Sequence, residues 1–205
     1  MNQNEKPNPT AAEVDRYRPR FALYHPKANG AGGAVEMELH PAHDDHEGSI
    51  VMTLANQKSA GSRRGPTPVF PTFDWENRIC VKLDFSDLCA VLQVLRGECE
   101  SIGDGRGLYH RYDGKVTRII LRHLLEPVAG YSLEVYRSSE GQETGENDLA
   151  SRIFFNPSEA LGLTIALENV LGVICFGIPK VYARRASSAA SGEARQPGRS
   201  DVNAA

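Results

Sequence analysis

The sequence has no excess of positive charge and few aromatic residues. Its formal net charge is −3, and only 7% of its residues are Phe, Trp or Tyr. This balance argues against strong non-specific DNA binding by the whole chain, although it is compatible with a local basic patch. The chain also lacks an apolar run of the roughly 18–20 residues that cross a bilayer, and it lacks a signal-peptide core. We therefore expect a cytoplasmic protein, association with a bacterial nucleoid included, and no membrane partner.

Motifs of catalysis and metal binding are missing as well. The chain has no G-x-S-x-G, no phosphate-binding G-x-x-x-x-G-K and no C-x-x-C pair among its four cysteines. Segment 40–46 carries three histidines and two aspartates, which is the one alternative metal site, but its spacing and Pro41 favour a solvated loop. Segment 103–107 is Gly-rich, yet no helix opens after it, so it predicts a turn. We expect a protein that is not an enzyme and has no cofactor or metal.

The two ends of the chain differ in composition from the middle. Residues 1–20 are polar and contain three prolines, and residues 180–205 are dominated by Ala, Ser, Gly and Arg. Both compositions are typical of disordered tails, because neither offers enough apolar surface to bury. The folded part is predicted to be one domain over residues 21–179, which is long enough for a sizeable core.

Within that domain, a run of strand-like segments ends in an amphipathic helix, and the same order then repeats. The first helix is predicted over 84–95, with Asp84 or Ser86 as its N-cap and Gly97 at its end. The second begins with Asn156, Pro157 and Glu159, the pattern of a capping box with proline at the first helical position. The predicted strands are 21–24, 34–39, 49–55 and 79–83, then 108–111, 116–125, 131–137 and 151–155. The fold class is therefore α+β with two β-β-β-β-α repeats.

The second helix offers more apolar surface than one sheet face needs. Its stripe runs from Leu163 to Ile174, and Val173 to Phe176 extend its apolar character. This pattern favours a subunit contact over simple core packing.

Three stretches carry a resemblance to a known family. They are 73–84, which places Phe73, Asp74 and Trp75 before a strand and the first helix, then 113–127, and the apolar second helix. In order and spacing the chain resembles the Whirly proteins, within the wider group of single-stranded-DNA-binding regulators shaped like the coactivator PC4. The resemblance implies antiparallel sheets packed around two helices, a homotetramer held through the helices, and single-stranded DNA or RNA lying on the sheets.

One departure from the family concerns its Lys-Gly-Lys-Ala-Ala-Leu segment near the first hairpin. The corresponding stretch here is 25–34, in which only Lys27 matches. In the family this segment supports assembly beyond a tetramer. Because only Lys27 matches it here, the resemblance does not imply such assembly for this chain.

Binding single strands requires cations along the backbone and aromatic faces for the bases. Arg118 and Arg122 share one strand face, and the alternative is that they pair with Glu134 or Glu36. Segment 56–71 is predicted to be a mobile or functional loop carrying Lys58, Arg63 and Arg64, with solvated charges as the alternative. A single Trp belongs to the core more often than to a ligand platform, so core packing is the alternative for Trp75. The candidate nucleic-acid-binding residues are Lys27, Lys58, Phe73, Trp75, Lys82, Arg118 and Arg122.

The function that follows is single-stranded DNA binding in transcription regulation or genome maintenance. Two alternatives stay open, an RNA-binding protein of the same fold and a structural or assembly protein that lacks nucleic-acid binding. The acidic residues Glu36, Glu38 and Glu134 would favour the last one if they dominated the exposed sheet faces.

Overall fold

The computed structural model describes residues 18–43, 46–62, 67–141 and 148–178. The first half contains five strands followed by a helix. The strands are β1 (Arg20–His25), β2 (Gly33–His40), β3 (Ser49–Ser59), β4 (Thr72–Phe73) and β5 (Ile79–Leu83), and the helix is α1 (Phe85–Leu95).

The second half repeats this plan after a short 3-10 turn at Ile102–Gly105. Its elements are β6 (Leu108–Tyr112), β7 (Lys115–Leu124), β8 (Gly130–Ser139), β9 (Leu149–Phe155) and α2 (Pro157–Phe176). The doubled strands-then-helix order is confirmed, with the two-residue β4 as an addition. The predicted tails lie outside the described residues, apart from 18–20.

Each half forms one antiparallel sheet. In sheet 1, made of β1 to β5, β2 lies between β1 and β3, and β3 pairs with β5 along residues 50–54 and with β4 near its end. In sheet 2, made of β6 to β9, neighbours in sequence are neighbours in space. The β6–β7 hairpin turns at Asp113 and Gly114, which both have positive φ, as a two-residue turn of this kind requires.

Both helices begin as the sequence predicts. Asp84 caps α1, and its side chain accepts the Asp87 backbone N–H at 2.9 Å while Asp87 accepts the Asp84 N–H in return. In α2 the Asn156 side chain accepts from the Ser158 and Glu159 backbones, and Glu159 completes the capping box. Two reciprocal caps fix where each helix leaves its sheet.

The core lies between the sheets and the helices. Strand alternation points Val35, Met52 and Val81 of sheet 1 and Ile119 and Leu133 of sheet 2 into it. The helices contribute apolar stripes to the same cluster, listed as Leu88, Val91, Leu92, Val94 and Leu95 from α1 and Ala160, Leu163, Leu167 and Ile174 from α2. The opposite faces of the two sheets are therefore left for solvent or a ligand.

The predicted long loop after the third strand is wrong in its first part. β3 continues past Ala55 to Ser59, although residues 56–59 are polar. The extension has partners that the sequence pattern did not reveal, because Gln57 pairs with Phe73 of β4 and Ser62 forms a bridge with Val69. Lys58 consequently lies in a strand, while Arg63 and Arg64 lie outside the described residues.

α2 is, among the helices that the structure describes, the one long and apolar enough to cross a bilayer by length and composition. The sequence analysis predicted no such segment. Leu163 and Leu167 of this helix are 3% and 2% exposed within the core cluster, whereas only 22% of its apolar window is buried.

Candidate nucleic-acid interface

The outer faces of the two sheets consist of the residues that alternate with the core positions. On sheet 1 two cross-strand rows are Ala22–Glu36–Thr53–Cys80 and Arg20–Glu38–Val51–Lys82. On sheet 2 the corresponding rows include Tyr109–Arg118–Tyr136 and Ile120–Glu134–Arg152. Because the core lies between the sheets, these two outer faces point in different directions, and they form two separate surfaces.

The acidic residues of the sheet 1 outer face are paired. Glu36 lies 3.6 Å from the Arg20 guanidinium, and Glu38 lies 3.7 Å from Arg18 and 2.8 Å from the His40 ring nitrogen. These half-exposed pairs contribute little to stability. They do cancel the charge of the two glutamates locally, so this face is not dominated by acid.

An aromatic cluster, defined as Tyr24, Phe73 and Trp75, occupies one end of the sheet 1 outer face. The Tyr24 ring centroid lies 5.4 Å from that of Phe73 and 6.4 Å from that of Trp75, with tilted and edge-on geometry. Tyr24 pairs across the strands with Ala34, which pairs with Ala55, and these small side chains leave room for the rings. Tyr24 is 55% exposed, so the cluster presents ring surface to solvent.

The aromatic cluster is held by its flanking turn. Asp74, between Phe73 and Trp75, accepts a hydrogen bond from the Asn77 side chain at 2.8 Å. That hydrogen bond is the main reason why the pKa of Asp74 lies below its ordinary value. The carboxylate is therefore ionised at neutral pH and keeps the turn closed through its hydrogen bonds to Asn77.

Two predicted cations lie near the aromatic cluster. Gln57 pairs with Phe73 and accepts the Lys27 backbone N–H at 2.8 Å, which ties the β1–β2 turn to the end of β3. The Lys27 side chain is exposed on that turn. Lys58 is also exposed and lies 3.8 Å from Glu76, a contact too weak to immobilise it. The structure thus brings Lys27, Lys58, Phe73 and Trp75 to one end of sheet 1.

A buried carboxylate organises the sheet 2 outer face. Glu134 is 5% exposed and contacts the Arg122 guanidinium at 2.6 Å, the Tyr136 hydroxyl at 2.8 Å and Arg152 at 3.1 Å. Burial alone would raise the pKa of Glu134, but the Tyr136 hydroxyl and the two guanidinium groups outweigh it and hold this pKa below its ordinary value. Glu134 is therefore ionised and fixes two arginines on the face.

Arg118 has a different environment from Arg122. Its guanidinium lies over the Tyr136 ring, 5.4 Å from the centroid, and donates to the Gly105 carbonyl at 3.3 Å. The alternative that these two arginines pair with Glu134 or Glu36 holds for Arg122, which pairs with Glu134, whereas Arg118 contacts Tyr136 and Gly105. Glu36 belongs to the other sheet. With Arg111 and Arg152, this face carries four arginines against one glutamate, which makes it basic.

The seven predicted site residues therefore lie on two surfaces. Lys82 belongs to the sheet 1 outer face, several strand positions away from the aromatic cluster, and Arg118 and Arg122 belong to sheet 2.

In the alternative metal loop, His43 and His46 are 5.2 Å apart, ring to ring, and Asp44 and Asp45 lie outside the described residues. The described ranges hold no group of three or more His, Cys, Asp or Glu side chains arranged for a metal.

Sequence reasoning missed a groove beside the edge of sheet 1. Lys82 of β5 lines it together with Arg111, Tyr112 and Arg137 of sheet 2. The sequence does contain a signal for this groove. Leu133, Val135 and Arg137 alternate along β8, so Arg137 lies on the strand face that points to the core. A charged residue on that face indicates that the strand extends beyond the core and that its inner face is open to solvent there.

No protein-family model and no curated protein sequence matches this chain. Two solved structures from Arabidopsis thaliana are similar to it in fold. The Whirly protein WHY1 is 14% identical, with a TM-score of 0.57, over 89% of this chain and 98% of that one. WHY3 is 16% identical, with a TM-score of 0.58, over 85% and 98%. This chain therefore has the Whirly fold, as the resemblance predicted, and at these identities the similarity shows the fold alone.

Proposed function

We propose that this protein binds single-stranded nucleic acid and acts in transcription regulation or genome maintenance, as a binding protein and not as an enzyme. The observation that carries the proposal is the partly exposed aromatic cluster beside weakly held cations on a Whirly-fold sheet. Rings of Tyr24, Phe73 and Trp75 offer stacking surfaces, each base contributing about 1–3 kcal/mol. Lys27 and Lys58 lie at the same end of the sheet, where they can contact phosphates.

The charge distribution supports binding over a purely structural role. Glu36 and Glu38 are paired with arginines, and Glu134 is shared between two arginines. The acidic residues that would have favoured an assembly protein without a ligand are thus neutralised. A chain with net charge −3 therefore still presents local basic surfaces, which is what electrostatic attraction of a single strand requires.

We further propose a homotetramer held through the helices. The face of α2 opposite its core stripe is open and carries large apolar residues beside one polar residue, Asn169, since Leu161 is 62% exposed and Ile165 is 52% exposed. Gly162 and Gly172 have no atom close to where a side chain would extend, and Phe176 lies at the end of the same face. A second copy of α2 would cover this surface and leave the sheet faces free for the ligand. We propose a cytoplasmic location for this assembly.

Fluorescence anisotropy with labelled oligo-dT, oligo-rU and a matched duplex tests the binding proposal. At 50 mM salt we expect single strands to bind more tightly than the duplex. Three to five phosphate contacts would weaken that binding by on the order of 10–100-fold at 200 mM salt. The ratio of oligo-dT to oligo-rU affinity decides between DNA and RNA. Absence of binding to any single strand at 50 mM salt would favour the assembly protein.

A further inference from the structure

The groove beside β5 lies where the edge of sheet 1 meets the β6–β7 hairpin. It has a volume of about 330 Å³. Its walls come from Val51, Cys80, Val81 and Lys82 of sheet 1 and His110, Arg111, Tyr112, Thr117 and Arg137 of sheet 2. This size falls at the lower end of the range of small-molecule pockets, about 300–1,000 Å³.

Three cations converge on this groove without a compensating carboxylate. In the ranges that the structure describes, Lys82, Arg111 and Arg137 make no ion pair, in contrast to Arg18, Arg20, Arg122 and Arg152. The Arg137 Nε atom is buried and has no hydrogen-bond acceptor. Cations placed together repel one another, and a buried donor without an acceptor costs about 1–3 kcal/mol. An anion in the groove would relieve the repulsion between these cations.

The remaining walls suit the other parts of a nucleotide. Tyr112 is 84% exposed at the hairpin and offers a ring for stacking, while Val51 and Val81 are apolar and the Thr117 hydroxyl is polar. The His110 Nε2 atom lies 3.3 Å from a carboxyl oxygen of Asp87, and Asp87 does not line the groove. The lining therefore combines a cationic centre with an aromatic rim and an apolar base.

We propose that this groove is a discrete binding site for one phosphorylated nucleotide unit. Its phosphate would lie among Lys82, Arg111 and Arg137, and its base would stack on Tyr112. The inference rests on the proposed function when the unit belongs to a bound strand, and stands alone when the unit is a free mononucleotide. Lys82 and Cys80 also belong to the sheet 1 outer face, so a strand can pass from that face into the groove.

Alkylation of Cys80 reports occupancy of the groove. Cys80 is exposed in its wall, and Cys99, which is half-buried and lies after α1, is a reference thiol outside it. We expect thymidine 5′-monophosphate at millimolar concentration to slow iodoacetamide modification of Cys80 at least threefold, read by peptide mass spectrometry, without slowing that of Cys99. Protection by oligo-dT alone, if Arg111→Ala abolishes it, would identify a nucleotide within a strand as the ligand, because Arg111 lines the groove but does not belong to sheet 1. Equal protection by inorganic phosphate or by thymidine would overturn the nucleotide assignment.

Two double variants separate this inference from the proposed function. Lys82→Ala with Arg111→Ala removes two exposed groove cations, and Arg106→Ala with Lys115→Ala removes two exposed cations that do not line the groove. The groove variant should lose Cys80 protection, weaken oligo-dT binding about 10–30-fold and reduce the salt slope by about 1.4. The control should change neither protection nor affinity. Strand binding that leaves Cys80 unprotected would contradict the nucleotide site in the groove and leave the proposed function standing. Protection by the mononucleotide without any strand binding would contradict the proposed function and leave the nucleotide site standing.

Discussion

Replacing Glu134 by Gln is expected to lower the free energy of unfolding by about 2 kcal/mol at pH 7, the range of a charge-assisted hydrogen bond in a buried site. The carboxylate is 5% exposed and holds Arg122, Arg152 and the Tyr136 hydroxyl, so no other group replaces it. Urea unfolding followed by circular dichroism measures the loss. Glu36→Gln is the matched control, because Glu36 pairs with one exposed arginine and should cost less than about 1 kcal/mol.

The pH dependence of this difference has a definite sign. Because the pKa of Glu134 is lowered on folding, its contribution is fully present above the ordinary glutamate pKa and is lost as pH falls through the lowered value. The difference in unfolding free energy between wild type and Glu134→Gln should therefore stay constant from pH 7 to about pH 5 and shrink between about pH 5 and about pH 3. A difference that stays constant over this interval would show that the ionised carboxylate is not what stabilises the face.

Charging the exposed face of α2 should abolish assembly. Leu161→Glu with Ile165→Glu places two carboxylates where the proposed tetramer packs helix against helix, and uncompensated charge in such a contact opposes association strongly. We expect light scattering to give the mass of four chains for the wild type and that of one or two for the variant. The fold should persist, since neither side chain belongs to the core.

Leu125→Glu is the control for that experiment. Leu125 is 74% exposed and lies in the turn after β7 rather than on α2, so the same change of chemistry should leave the mass unchanged. A monomeric wild type, or a charged α2 variant that still assembles, would contradict the helix-mediated tetramer.

Most of the fold was predictable because its signals are local. Both helix starts follow from capping residues within four positions of one another, and Asp113–Gly114 predicts its hairpin from backbone conformation alone. The end of β3 was not predictable in this way. Its polar residues form a strand because β4, more than ten residues later, supplies their partners, and such non-local pairing leaves no periodic trace.

The candidate site was predictable by residue type but not by arrangement. Alternation correctly put Arg118 and Arg122 on one face, yet only the register of β7 on β8 shows that Arg122 meets Glu134 and Arg118 meets Tyr136. The groove cations belong to three strands from two sheets, and sequence spacing does not specify how two sheets meet. The seven predicted contact residues remain predictions until binding is measured.

The fluorescence of the single tryptophan tests the central claim most directly. Trp75 is the only Trp in the sequence and lies in the aromatic cluster, so a base stacked there must alter its emission. Titration with oligo-dT at 50 mM salt should quench Trp75 saturably, with the same midpoint as anisotropy, and 200 mM salt should reverse the quenching. Unchanged emission at strand concentrations that saturate anisotropy would contradict stacking on this face.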